Sequence, residues 1–339
     1  MKAIVLAGGE GTRLKAVTGE LPKPMVPFLG KPFLEHIIAL LLRCGFDELC
    51  LAVKYRAEDI MKYFGDGRDF GVHIRYSVEK EALGTAGAVR NCADFFGRED
   101  FLVISGDCAC DGDLRLLAEE HKKSAAAVTV ALHREAEPLP YGLAVTDEDG
   151  GIRSFLEKPR WSRVVTDLVN TGIYMISPHA LDYVPQGEPF DFGKELFPLL
   201  LEKGEKLHGV DIGGYWCDVG SPLSYYRCCV DALEGRLRVD AAPSFLAKKA
   251  ENAQSPVDPD GTDCPCRDRA AVMGVLSEAL LELGADYSDG ITLHGSGYLL
   301  HIAPREDISA VRVAVRSPDA EFARSLTLSA KELIEALGL

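Results

Sequence analysis

The run Phe101–Ser105, FLVIS, constrains the fold more than any other stretch of the chain. Successive side chains of a strand point to opposite faces, and here both faces are apolar, so both must be covered. Strands of that kind belong to sheets that carry helices on either side. The flanking sequence agrees. Lys2–Leu6 is a second short apolar strand, and residues 32–44 read as a helix with Phe33, Ile37, Leu40, Leu41 and Cys44 on one side and Gly45 as its stop. Residues 49–53 and 72–78 read as strands, and residues 58–64 and 84–93 as helices. Asp113 is placed to cap a helix over 114–123, and 126–132 returns as a strand. Strand and helix alternate throughout, which predicts an α/β class with a doubly wound, mostly parallel sheet. In that architecture ligands lie beyond the carboxyl ends of the strands.

Two motifs fall on that edge: Gly8, Gly9 and Gly11 after Leu6, and Asp107 after Ser105. Glycine lacks a Cβ, so the backbone can take positive φ or approach a ligand closely, and successive N–H groups in such a turn make an anion nest. The spacing is not that of a Walker loop. Nor is it a dinucleotide loop, because Leu14 stands where the third glycine of G-x-G-x-x-G would be. A bare glycine turn is often only a tight turn. Thr12, Arg13 and the Leu21-Pro22-Lys23-Pro24 segment point further, since Arg13 offers a planar fork and Lys23 a point charge for phosphate.

The formal charge is −15, from 37 basic and 52 acidic residues, which argues against nucleic acid as a partner. It leaves a nucleotide open, because exposed charges are screened beyond about 8 Å and the local Arg and Lys decide phosphate binding. Ten cysteines at irregular spacing include no C-x-x-C, so no zinc knuckle or thioredoxin-type site is indicated. The chain opens directly into a strand without a secretory leader, and its longest apolar run, 37–42, is too short to span a bilayer. These features predict a soluble, cytoplasmic protein with reduced thiols and no membrane partner.

From Pro140 the texture changes. Residues 141–146 and 152–157 read as strands about a turn at 147–151, and 168–175 as a strand carrying Asn170, Thr171 and Gly172. A short helix at 194–202, a strand at 207–211 and a helix at 222–234 follow. Residues 241–263 are rich in Pro, Asp, Ala and Ser and read as a linker. The expected organisation is a large domain over 1–236, a linker over 237–263 and a small α+β domain over 264–339. That last domain has a helix at 270–283, a hairpin about 295–297, a strand at 310–316 and a final helix at 320–337.

Residues 2 to about 234 resemble the sugar-1-phosphate nucleotidyltransferases, whose fold is Rossmann-like. The likeness is carried by GGEGTRL, LPKPMVP, LGTAGAV, ISGD, YGLAV, LEKP, NTGIY, FDF and WCDVGSP in that order. PKPMVPFLGKPFLEHII and EALGTAGAV look most like the mannose-1-phosphate guanylyltransferase branch; Ala82 stands where that family usually has proline. The C-terminal region resembles the last domain of phosphomannomutases through Cys264-Pro265-Cys266 and Asp289-Gly290-Ile291. It departs from them at the phosphate loop, here residues 303–309, and lacks their phosphoserine and metal loops, so no mutase activity is expected.

The resemblance implies attack of a sugar-1-phosphate oxygen on the α-phosphorus of a nucleoside triphosphate, with pyrophosphate leaving. GTP and mannose 1-phosphate are the expected pair; a glucose-1-phosphate uridylyl-, thymidylyl- or cytidylyltransferase, or a non-catalytic nucleotide-sugar-binding homologue, is the alternative. It implies Arg13, Lys23 and Lys158 as catalytic cations, and Leu6, Gly8, Gly9, Gly11, Thr12, Glu79, Gly84 and Thr85 around the nucleotide. Gly142, Glu157, Lys158, Asn170 and Asp191 would surround the sugar phosphate. Asp107 and Asp218 would hold Mg²⁺, without which two carboxylates would repel a triphosphate. Trp216 reads as packing. Arg305 reads as a surface residue, with phosphate binding as its alternative, and a homo-oligomer is compatible with the sequence.

Overall fold

A computed structural model describes residues 1–11, 21–239, 261–266, 272–273, 276, 290–295, 298–305 and 308–336. Two compact units emerge, one of residues 1–9 with 37–216, the other of residues 10–36 with 217–339. This division crosses the boundaries expected from sequence, because residues 10–36 and 217–236 group with the C-terminal region. Most of the expected linker and most of the expected helix at 270–283 lie outside the described residues.

The first unit is built on a nine-stranded sheet. Its strands are β1 (Lys2–Leu6), β2 (Glu48–Val53), β3 (His73–Val78), β4 (Phe101–Ser105), β5 (Val128–Arg134), β6 (Gly142–Thr146), β7 (Ile152–Glu157), β8 (Leu168–Ile176) and β9 (Leu207–Asp211). The order is β7-β6-β8-β4-β1-β2-β3, with β5 pairing β8 and β9. The half β4-β1-β2-β3 is parallel, as is β5 with β9, while β8 runs antiparallel to β4, β5 and β6. The sheet is therefore mixed, with its parallel half where the apolar runs predicted it.

Helices α1 (Phe33–Arg43), α2 (Ala57–Phe64), α3 (Gly84–Arg90), α4 (Leu114–Ser124) and α5 (Phe197–Glu202) join these strands. Residues 101–104 are fully buried, as two-sided covering requires. Each such side chain contributes about 1.5–3 kcal/mol. Phe101 stacks on Phe96 with centroids 4.3 Å apart, and Tyr174 packs on Phe192 and Phe197 at 4.9 and 5.1 Å. Asp113 caps α4 by accepting from Arg115 N–H. Three expected elements shift. The helix begun at Gly84 ends at Arg90 and a separate turn covers Ala93–Phe96; the strand expected at 126–132 is Val128–Arg134; and the helix expected from 194 opens as a π-turn over Phe192–Leu196.

His121, on the inner face of α4, is 2% exposed. Its Nδ1 pairs with Thr129 Oγ1 at 2.8 Å and its Nε2 with Ser177 Oγ at 3.1 Å. Burial pushes its pKa down and outweighs the opposing pull of Asp100, a part-exposed carboxylate 3.7 Å away. A depressed folded-state pKa gives stability that is present above the ordinary histidine range and lost as pH falls through the folded value. His121→Gln should therefore flatten the decline in unfolding free energy between about pH 7 and pH 5. Urea titrations across that range check this; an unaltered slope would contradict it.

The second unit holds an antiparallel sheet of β10 (Thr262–Pro265), β11 (Ile291–Gly295), β12 (Tyr298–Pro304) and β13 (Ala310–Arg316) in the order β10-β13-β12-β11. Thr262 and Asp263, read as linker, pair with Val313 and Arg312. Helix α6 (Pro222–Leu233) brings Val230 into the core of Cys264, Ile302, Val311, Val313 and Leu326, which explains why residues after 217 group here. Helix α7 (Ala320–Ala336) starts where Asp319 Oδ1 accepts from the N–H groups of Glu321 and Phe322. Pro27–Phe28 and Lys31–Pro32 form a two-stranded ribbon whose turn residues Leu29 and Gly30 both have positive φ, as primed turns demand. Arg305 Nη1 lies 3.4 Å from Asp263, which also takes a fork from Arg312 at 2.7 and 3.0 Å, so Arg305 belongs to the sheet's own ion pairs. Among the described residues no helix is long and apolar enough to cross a membrane. None of the ten cysteines is in a disulfide.

Candidate active site

The parallel register brings the carboxyl ends of β1 and β4 level, with Leu6 opposite Ser105. The loops that follow stay together. Gly106 N–H donates to Leu6 O at 2.8 Å, and a Cβ on Gly106 would stand 2.7 Å from that oxygen, so only glycine lets the strand ends close up. Asp107 follows immediately and accepts a short hydrogen bond from the Ser105 hydroxyl. On the other side of β1, Gly8 runs beside Lys54 and Glu79; a Cβ there would lie 3.4 Å from Glu79 Oε1. Lys54, one residue beyond β2, was not anticipated, although the edge rule that picked out Asp107 covers it equally.

Glu79 leaves β3 on the same edge, its N–H bonded to Val53 O. Its Oε2 accepts from Leu83 N–H at 3.2 Å. Burial pushes its carboxyl above the ordinary range, against the pull of that amide and Lys54. Gly84 takes φ +67. Thr85, expected at the nucleotide, spends its hydroxyl on Asp191 and on Phe192 N–H.

The antiparallel strands deliver a second group. Gly142 and Glu157 pair across β6 and β7, and a Cβ on Gly142 would meet Glu157 Oε2 at 2.8 Å and Asn170 Cβ at 3.8 Å. Asn170 Oδ1 accepts from Gly172 N–H at 3.1 Å. Gly193, which sequence reasoning passed over, also abuts this group, 3.2 Å from Glu157 Oε2 by the same measure. The glycine directly after Phe190-Asp191-Phe192 was the available signal.

Lys158 is exposed and sits at φ +42, in the left-handed region, its N–H reaching Tyr141 O at 3.2 Å. That conformation costs a non-glycine residue about 1–2 kcal/mol, and strain of this kind gathers at functional sites. Lys158→Gly should be more stable than Lys158→Ala by about 1 kcal/mol. Denaturant midpoints check the pair, and an alanine variant as stable as the glycine variant would contradict it. Trp216 packs as expected: it is 8% exposed, donates from Nε1 to Thr171 O at 3.0 Å, and touches His133 and Tyr141.

In the second unit, Gly11 has φ +61 and lies against Lys23, where a Cβ would meet Lys23 Cβ at 2.8 Å. Lys23 is 8% exposed, with Nζ 4.0 Å from Asp218 Oδ1. A cation so deeply buried needs a carboxylate partner. Thr12 and Arg13 lie outside the described residues. The first unit thus gathers Leu6, Gly8, Glu79, Asp107, Gly142, Glu157 and Asn170 at strand ends, and the second pairs Gly11 and Lys23 with Asp218.

The sequence and the fold also match known proteins. The nucleotidyl transferase family matches residues 2–235. A UTP–glucose-1-phosphate uridylyltransferase of Synechocystis sp. is 36% identical over 251 residues, 70% of this chain and 65% of that protein. A mannose-1-phosphate guanylyltransferase of Mycobacterium tuberculosis is 36% identical over 250 residues, 74% of this chain and 68% of that protein. The chain thus spans about two thirds of the length of the curated relatives it matches. The crystal structure of HddC from Yersinia pseudotuberculosis complexed with GMP-PN superposes with a TM-score of 0.59 at 29% identity, covering 67% of this chain and 97% of that one. With the match running through every strand of the nine-stranded sheet, the chain belongs to the nucleotidyl transferase family.

Proposed function

We propose that this protein transfers a nucleotidyl group from a nucleoside triphosphate to a sugar 1-phosphate, and that GTP and mannose 1-phosphate are the substrates. The observations that support this most are the placing of Gly8, Glu79 and Asp107 just beyond the carboxyl ends of parallel strands and the grouping of Gly142, Glu157 and Asn170 on the antiparallel ones. An oxygen of the sugar phosphate bonds to the α-phosphorus while the bond from that phosphorus to the bridging oxygen breaks, and pyrophosphate departs. The attacking oxygen is already anionic, so no general base is required. The protein's task is alignment and charge neutralisation.

In this reading the loop from Leu6 through Gly8, Gly9, Gly11 and Thr12 receives the phosphates, and Arg13 and Lys23 neutralise charge on the departing pyrophosphate. Lys158 meets the sugar phosphate, and Gly142, Glu157 and Asn170 bond sugar hydroxyls. Asp107 would offer a carboxylate oxygen to Mg²⁺, as would Asp218, and the ion would supply positive charge that shields the phosphates. Among the described residues no group of three or more His, Cys, Asp or Glu is set to enclose a metal. Mg²⁺ needs no such group, because it takes one or two carboxylates together with substrate phosphates. Glu79 favours guanine, whose N1–H and exocyclic amine give a carboxylate two donors where uracil gives one; its Oε1 and the remaining lone pairs of Oε2 are the acceptors. HddC's complex with GMP-PN points the same way.

Incubation with Mg²⁺ and a panel of triphosphates crossed with sugar 1-phosphates, followed by pyrophosphate release, tests the proposal. GTP with mannose 1-phosphate should be fastest. A faster UTP and glucose 1-phosphate pair would move the assignment to the uridylyltransferases, and no release with any pair would end it.

A further inference from the structure

The hydroxyl of Thr85, expected from the sequence at the nucleotide, joins the start of α3 to the 190–193 loop, whose Asp191 is expected at the sugar phosphate. It donates to Asp191 Oδ1 at 3.1 Å and accepts from Phe192 N–H at 2.9 Å. A hydroxyl has one donor, and this one is already committed. Around it the N–H groups of Ala86 and Gly87 donate to Phe190 O at 2.8 and 3.0 Å, and Phe190 N–H donates to Leu83 O at 2.9 Å. Asp191 N–H is fixed in turn by Glu195 Oε2 at 2.7 Å. The next residue, Gly193, forms the wall against Glu157 and Asn170, with a Cβ position 3.2 Å from Glu157 Oε2 and 3.8 Å from Asn170 Nδ2.

We infer that Thr85 is a positioning residue for the sugar-phosphate side, acting through Asp191 and Phe192 on the wall at Gly193. The inference rests on the proposed assignment of Glu157 and Asn170 to the sugar. It also makes Asp191 the anchor of this strut, so that its effect on the sugar passes through Thr85. The start of α3 and the 190–193 loop then move as one body, and neither loop can shift without the other.

Thr85→Val keeps the shape and removes the hydroxyl. The KM for the sugar 1-phosphate should rise about fivefold while the KM for the triphosphate stays within about twofold, and Thr85→Ser should restore both. The double variant Thr85→Val with Asp191→Ala should do no more than the worse single change, because one link is cut twice. A rise confined to the triphosphate KM, an equal rise in both, or multiplying effects in the double variant would overturn the inference. Amide exchange gives a reading independent of turnover: Phe192 N–H should lose protection in Thr85→Val, and unchanged protection would overturn the strut whatever the activity. A wild-type protein that releases no pyrophosphate with any substrate pair would instead defeat the functional proposal and leave the exchange result to decide the strut.

Discussion

Asp107→Asn is expected to lower turnover about a thousandfold while the fold stays intact. The substitution keeps an oxygen where Asp107 Oδ1 accepts from the Ser105 hydroxyl, so the loop after β4 retains its hydrogen bond. Gly106 N–H to Leu6 O is untouched. Stability should therefore change by less than about 1 kcal/mol. What the variant loses is the negative charge. Two unit charges 4 Å apart interact by about 4 kcal/mol at an effective dielectric near 20, which is about three powers of ten in rate. In the proposed reading the missing charge is an anchor shared by Mg²⁺ and the triphosphate, so the half-saturating Mg²⁺ concentration should rise as turnover falls. Steady-state kinetics across a Mg²⁺ series read both effects. A loss below tenfold at unshifted Mg²⁺ dependence would remove Asp107 from the metal site.

Gly84→Ala should damage the fold itself. The residue sits at φ +67, which costs an alanine about 1–2 kcal/mol. The new Cβ would also stand 2.8 Å from Phe190 O and 3.0 Å from Phe190 C and N, all backbone atoms that cannot swing away. Displacing them costs a further 1–3 kcal/mol or so and pulls at the bonds from Ala86 and Gly87 to Phe190 O. The sum, about 2–5 kcal/mol, corresponds to a melting temperature roughly 5–15 °C lower. Thermal unfolding followed by circular dichroism would show it, and a midpoint within about 2 °C of wild type would mean that the 83–87 and 190–193 segments are not packed as described.

Much of this molecule was readable from local pattern. FLVIS announced a strand covered on both faces because alternation leaves no polar side, and residues 101–104 are indeed buried. Asp113 announced a cap, and the turn at residues 147–151 announced the β6–β7 hairpin, because short polar side chains and glycine act on their nearest neighbours. The edge rule picked out the loops after β1 and β4, whose strand ends do lie side by side.

What the pattern missed depends on distance along the chain. Thr85 reads locally as the second residue of a helix, and its partners are 106 and 107 positions away. The pairings Trp216 to Thr171 and Glu157 to Gly193 are equally invisible to periodicity. Strands of three residues, such as Cys108–Cys110 and Trp216–Asp218, are too short to carry a period at all. Lys158 precedes a proline, a context that favours extended backbone, yet it adopts φ +42 with its N–H on Tyr141 O.

A crystal structure with GDP-mannose and Mg²⁺ bound puts the account to its most direct trial. The base should lie beside Glu79, the phosphates along Gly8, Gly9 and Asp107, and the sugar among Gly142, Glu157 and Asn170. A nucleotide sugar bound away from that sheet edge, with Glu79 and Asn170 both turned to solvent, would contradict it.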